Sequence, residues 1–104
     1  MEVKVTSTKF EKSCREIPIV LESYSKTFPI RGSDFAEKIG LTSSYEVRRV
    51  VNLSRKKGIP ICSSDNGYWL SNNPVEIQET VQQLNNRIKG IQGAITGLET
   101  CLVA

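Results

Sequence analysis

The sequence predicts a mainly α-helical chain that carries one small β-hairpin and ends in a long helix. Apolar residues recur at spacings of three and four in separate stretches, the mark of helices with one buried face. Residues 61–63 and 68–70 are short strand-like runs around Asp65, Asn66 and Gly67, where an Asn-Gly pair signals a hairpin turn. From Ile77 onward, apolar residues alternate spacings of four and three as far as Leu102. A chain of 104 residues has material for one compact core with an appendage. The predicted organisation is an arm over residues 1–12, a folded unit over 13–72 and a helix over 73–104.

Residues 1–12 are polar and rich in lysine, with Val3, Val5 and Phe10 the large apolar side chains after Met1, and read as a frayed arm or a short strand. Ser13 with Glu16 three positions on forms a possible capping box. Ile17, Val20, Leu21, Tyr24 and Phe28 follow at helical spacing, so a first helix is expected to end near Lys26, with Pro18 shifting its start toward Ile17. Residues 27–31 have the β-branched and aromatic character of a small edge strand. Ser33 is expected to cap a second helix over residues 34–39, ending at Gly40, with Phe35, Ala36 and Ile39 facing inward.

Residues 43–58, SSYEVRRVVNLSRKKG, specify both ends of a third helix. Ser43 and Glu46 form a capping box; Arg55, Lys56 and Lys57 sit at the negative helix end before Gly58, a left-handed C-cap, and Pro60. At about 100° per residue, Val47, Val50, Val51 and Ser54 share one face, and Tyr45, Arg48, Arg49, Asn52, Arg55 and Lys56 share an arc of roughly 120° opposite. The chain's net charge is +3, yet residues 43–58 alone hold five cations against one acid, so the basicity is local. A charge run by itself reads as a solvated face. A short helix, a tight turn through Gly40 and Leu41 and a capped second helix instead make a helix-turn-helix, whose second helix enters a DNA major groove. Tyr45, Arg48, Arg49 and Asn52 are then candidates for base edges and nearby phosphates, and Arg55, Lys56, Ser43 and Ser44 for the DNA backbone.

The run SDFAEKIGLTSSYEVRRVVNLSRKKGIPICSSDNGYWL resembles the winged helix-turn-helix domains of small phage-encoded proteins and, more distantly, the N-terminal DNA-binding domain of the biotin ligase repressor. The resemblance covers residues 17–72, with helix pair, GIPI exit and GYWL hairpin in the family's order. It implies a winged helix-turn-helix fold whose hairpin is a wing touching the DNA backbone or minor groove. This wing departs from that pattern: it offers Ser63, Ser64 and Asn66 but no Lys or Arg, and Asp65 at its tip repels phosphate. Tyr68 and Leu70 fall on one strand face and Trp69 on the other, so at least one aromatic is expected in the core.

Asn73 can cap the last helix, with Pro74 at its first position and Glu76 and Glu79 in its early turns. Val81, Ile88, Ile95 and Leu102 occupy one seam position and Ile77, Leu84, Ile91 and Leu98 the other, a heptad pattern that calls for a partner helix. A homo-oligomer, with a dimer favoured, is the expectation. A break near Gly90 into a helical hairpin, or a seam that covers the chain's own folded unit, are the alternatives.

Cys14, Cys62 and Cys101 are widely spaced, and the chain has no histidine, so free thiols and no metal site are expected. No phosphate-binding loop, dinucleotide fingerprint or nucleophile elbow is visible, so neither catalysis nor a cofactor is expected. The absence of an apolar run of membrane length and of a signal-peptide core makes the cytoplasm the default location. The functional expectation is a small phage-derived DNA-binding regulator of transcription. The alternatives are a protein-interaction adaptor or inhibitor that binds a host or phage protein, and a DNA-binding accessory factor in recombination, replication or packaging.

Overall fold

A computed structural model describes the backbone of residues 3–102 and the side chains of residues 11–102. The order is α1 (Val3–Leu21), α2 (Gly32–Lys38), α3 (Ser44–Lys56), β1 (Ile61–Ser64), β2 (Gly67–Leu70) and α4 (Pro74–Leu102). Among the described residues no helix is long and apolar enough to cross a membrane. The expectations for Met1 and Glu2, and for the side chains of Val3, Val5 and Phe10, fall outside the described ones.

The first helix differs from its expected bounds at both ends. It starts at Val3, not near Ser13 or Ile17, so the predicted arm is part of α1. Once a docked segment has nucleated a helix, each added residue gains a hydrogen bond without a new nucleation cost. Ser13 is consequently not a cap. It is buried inside α1 and its Oγ donates to the carbonyl of Ile39 at 3.1 Å, satisfying an orphan acceptor at the end of α2. At the other end α1 stops at Leu21, and the four-residue spacing of Tyr24 and Phe28 belongs to a tight turn. Ser25 and Phe28 exchange both backbone bonds, at 3.1 and 3.0 Å, and the rings of Tyr24 and Phe28 stack 5.9 Å apart. Pro29 favours an extended residue before it, which is what that turn requires.

The short strand expected over residues 27–31 is reduced to isolated bridges: beside the Ser25–Phe28 pair, Ile30 and Tyr68 exchange two backbone bonds of 2.9 Å each. α2 begins directly after it, with Arg31 at the capping position and no side-chain cap, so Ser33 lies inside the first turn instead of capping it. Phe35, Ala36 and Ile39 are buried as their spacing predicts. The helix closes through Leu41 N–H donating to Ala36 O at 2.8 Å around Gly40, whose φ is 75°.

The core is built from Ile17 and Leu21 of α1, Phe35 and Ala36 of α2, and Val47, Val50 and Val51 of α3, closed by Ile30 and Ile61. The hairpin is the middle layer. Antiparallel pairing matches Ile61 with Leu70, Cys62 with Trp69 and Ser63 with Tyr68. Ile61, Tyr68 and Leu70 pack on the core, with Tyr68 tilted against Phe35 at 5.6 Å between ring centroids. Cys62 and Trp69 are buried on the opposite strand face. The two-residue turn is Asp65 and Asn66, neither with positive φ, so the Asn-Gly pair does not occupy its two centre positions. Gly67 instead opens β2 at φ 144°, where a Cβ would stand 2.2 Å from Ile30 O. Glycine is needed there because the Ile30 bridge passes directly over it.

α4 is one continuous helix from Pro74, with Asn73 Oδ1 accepting from Val75 N–H at 2.8 Å, and it does not break at Gly90. It crosses the hairpin with its first turns. Trp69 Nε1 donates to Glu76 Oε1 at 2.8 Å, Ser63 N–H donates to Thr80 Oγ1 at 3.3 Å, and Lys26 pairs with Glu79 at 2.9 Å on the exposed rim. Beyond Arg87 the helix leaves the body of the protein. The radius of gyration is 16.1 Å, whereas a compact chain of this length is expected near 13 Å.

Hydrogen bonds from Ser71 and Trp69 hold the Glu76 carboxyl below the usual glutamate range. A lowered folded-state value contributes stability that is present above the unfolded value, about 4.3, and is lost as pH falls through the lowered one. Urea midpoints followed by the fluorescence of Trp69 are expected to fall across that acid window. Glu76→Gln is expected to flatten this part of the profile; an unchanged profile would remove Glu76 from the docking of α4.

Candidate nucleic-acid interface

α3 presents its two faces as its sequence dictates. Ser43 is the N-cap, its Oγ accepting from Glu46 N–H at 3.3 Å, and the Glu46 carboxylate in turn accepts from Thr42, at 2.9 Å from its N–H and 2.8 Å from its hydroxyl. The box is therefore shifted by one residue on its return side. At the C-terminus Gly58 N–H reaches Arg55 O at 2.9 Å and Ile59 N–H reaches Ser54 O at 3.1 Å, with Gly58 at φ 89°, a Schellman closure. Val47, Val50, Val51 and Ser54 are at most 1% exposed, which locks the rotation of the helix about its axis.

That rotation leaves Tyr45, Arg48, Arg49, Asn52 and Lys56 in solvent, with Tyr45 64% exposed. Leu53 borders the same face at 39% exposure. Ser44, Arg48, Asn52 and Arg55 line a polar cleft of about 610 Å³ that the hairpin closes on the other side, whereas Tyr45, Arg49 and Lys56 do not line it.

Arg55 differs from the other predicted cations. It is half-buried, with Nε donating to Ile61 O at 2.8 Å and Nη2 to Ser63 Oγ at 3.2 Å. Burial, first among its causes, and the like charge of Arg87 lower its guanidinium from the ordinary value. It stays protonated, since arginine does not lose its proton in proteins. Arg55 thus ties α3 to β1 and holds its remaining donors at the cleft. The hairpin brings Ser63, Ser64, Asp65 and Asn66 to that cleft and adds no cation.

Two arginines that the sequence reading left unassigned line the same cleft: Arg31, ahead of α2, and Arg87, on α4. Arg31 is separated from α3 by a whole helix. Arg87 is visible in sequence as a charge flanking the apolar seam, but its place depends on α4 crossing the hairpin.

The eight seam residues divide into two groups. Ile77 and Leu84 are half-buried and, with Val81, border an apolar groove whose other wall is Ile59, Pro60, Ile61 and Cys62. Ile88, Ile91, Ile95, Leu98 and Leu102 are 44 to 84% exposed, so the seam does not fold back over the chain's own core. Cys14 and Cys62 are buried free thiols and Cys101 is an exposed one.

No protein-family model, curated protein or solved structure significantly matches this chain.

Replacing Arg55 by Met keeps the aliphatic stem and removes the donors. Losing a charge-assisted bond of this kind is expected to cost about 1.5–3 kcal/mol. Amide exchange at Ile61 to Ser64 should quicken while the centre of α3 stays protected; unchanged exchange in β1 would show that Arg55 does not tether the strand.

Proposed function

We propose that this chain is a small winged helix-turn-helix DNA-binding protein of phage type, a regulator that lays α3 in the major groove and assembles through α4. One observation carries the reading. α3 is capped at both ends, held by a fully buried valine stripe, and turns Tyr45, Arg48, Arg49, Asn52 and Lys56 together to solvent. The sequence of elements supports it too. α2, a turn closed at Gly40, α3 and then a hairpin follow in the order of a helix-turn-helix with a wing.

In this reading Arg48, Arg49 and Asn52 supply the forked donors and acceptors that discriminate guanine and adenine edges, while Lys56 and the Ser43 to Ser44 turn hold phosphate. A helix of 29 residues, about 43 Å long, that leaves its apolar row exposed needs a partner to cover it. A second copy is the simplest one, and it would present two α3 helices to paired half-sites.

The exposed row from Ile88 to Leu102 and the acidic hairpin tip also fit an adaptor that docks α4 on a host or phage protein. Fold alone does not separate the two roles.

Titration against mixed-sequence duplex DNA at two salt concentrations, with the mass in solution recorded, tests the reading. Salt-sensitive binding by an oligomer with a preference among duplexes is expected. Arg49→Ala should lower that preference at particular bases by about 1–3 kcal/mol, and Lys56→Ala should weaken all sequences alike. Ile95→Lys should reduce the mass to that of one chain. Absence of duplex binding at low salt would instead favour the adaptor.

A further inference from the structure

The cleft between α3, the hairpin and α4 gathers Arg31, Arg48, Arg55 and Arg87 from separate parts of the chain. Asp65 is the one carboxylate among its lining residues, so the cleft carries a formal surplus of three positive charges, as large as the net charge of the whole protein. Arg31, Arg48 and Arg87 are exposed, and none of them makes an ion pair with a carboxylate among the described residues. Arg55 is pinned by β1 with part of its guanidinium left for a ligand, and the charge of Arg87 bears on it directly. Like charges collected in a concavity repel one another and raise the local concentration of anions. Apart from Val51 and two glycines, the rest of the lining carries hydroxyl and amide groups, a surface for a hydrated polyanion and not for an apolar molecule.

Guanidinium groups match phosphate oxygens two at a time, and several in a row suit a chain of phosphates better than a single ion. Arg48 and Asn52 belong both to this cleft and to the outward face of α3, so a ligand lying on that face continues into the cleft. We infer that the cleft holds the sugar-phosphate backbone of one strand of the DNA duplex whose groove α3 enters, with Arg31 and Arg87 supplying the cations that the hairpin lacks. The inference rests on the DNA-binding reading above and deepens it. It also gives α4 a second task, because Arg87 reaches the ligand from the helix that carries the seam.

The test uses the full chain and a mixed-sequence duplex over a range of salt concentrations, comparing Arg31→Gln, Arg87→Gln and Lys89→Gln. Lys89 removes the same charge from the same helix but does not line the cleft. Arg31→Gln and Arg87→Gln should each weaken binding to every sequence alike and lower the slope of log affinity against log salt by about 0.9, the share of one phosphate contact. Lys89→Gln should leave the slope as it is, and the mass in solution should be the same for all variants. If both cleft variants keep the wild-type slope while Lys56→Ala lowers it, the cleft inference falls and the DNA reading stands. If Arg87→Gln loses affinity only together with a drop in mass and Arg31→Gln loses nothing, Arg87 is an assembly residue and the inference falls again. If the wild-type chain binds no duplex at low salt, the reading fails and takes the cleft with it.

Discussion

The arrangement depends on the burial of α3's narrow stripe. Val47, Val50 and Val51 are small and β-branched, and Ser54 is smaller still, so α1 approaches closely enough for Cys14 Sγ to come within 4.0 Å of Val50 O. Burying a valine-sized side chain is worth about 1.5–3 kcal/mol, and three in a row fix both the position and the rotation of the helix. Ser54 Oγ has no hydrogen-bond partner among the described residues. Its contribution there is size, since its carbonyl accepts the bonds that close the helix. With one face held this way, the charged residues opposite need no contact of their own to be aimed outward.

The hairpin passes that order on to the rest of the chain. Its core face is occupied by Ile61, Tyr68 and Leu70, and Cys62 and Trp69 are buried on its other face. Two bonds to Ile30 attach it to the segment before α2, and Arg55 attaches it to α3. Burial raises the Cys62 thiol above its ordinary value, so that group behaves as a small apolar side chain in the layer. α4 is therefore set against the cationic helix through the hairpin.

Docked and projecting parts of α4 meet different demands. The first turns carry polar groups that find partners on the body of the protein, Glu76 and Thr80 on the hairpin and Glu79 at Lys26. The later turns carry Gly90, Gly93 and Gly97, each costing a helix about 1 kcal/mol relative to alanine. Yet the helix is continuous there, with open space around all three glycines. A helix weakened in this way and exposed along an apolar row gains most from a partner, because packing contributes more helical stability than propensity does.

Local chemistry was legible wherever an element carries its own end signals. Ser43 with Glu46, Gly58 before Pro60, and Asn73 with Pro74 each act within a few residues, and the faces of α3 follow from spacing alone; the continuity of the last helix past Gly90 does not. Where the deciding partner is distant, the same residue types misled. Ser13 and Glu16 have the spacing of a cap, but Ser13 serves Ile39, twenty-six positions away. Gly67 has the neighbours of a turn glycine, but the carbonyl of Ile30 is what demands it. The sequence by itself determined the helices with marked ends and the existence of a cationic face. Tertiary structure alone decided that Arg31 and Arg87 join Arg48 and Arg55 around one cleft, because a cleft is made by packing elements whose separation along the chain carries no record of their separation in space.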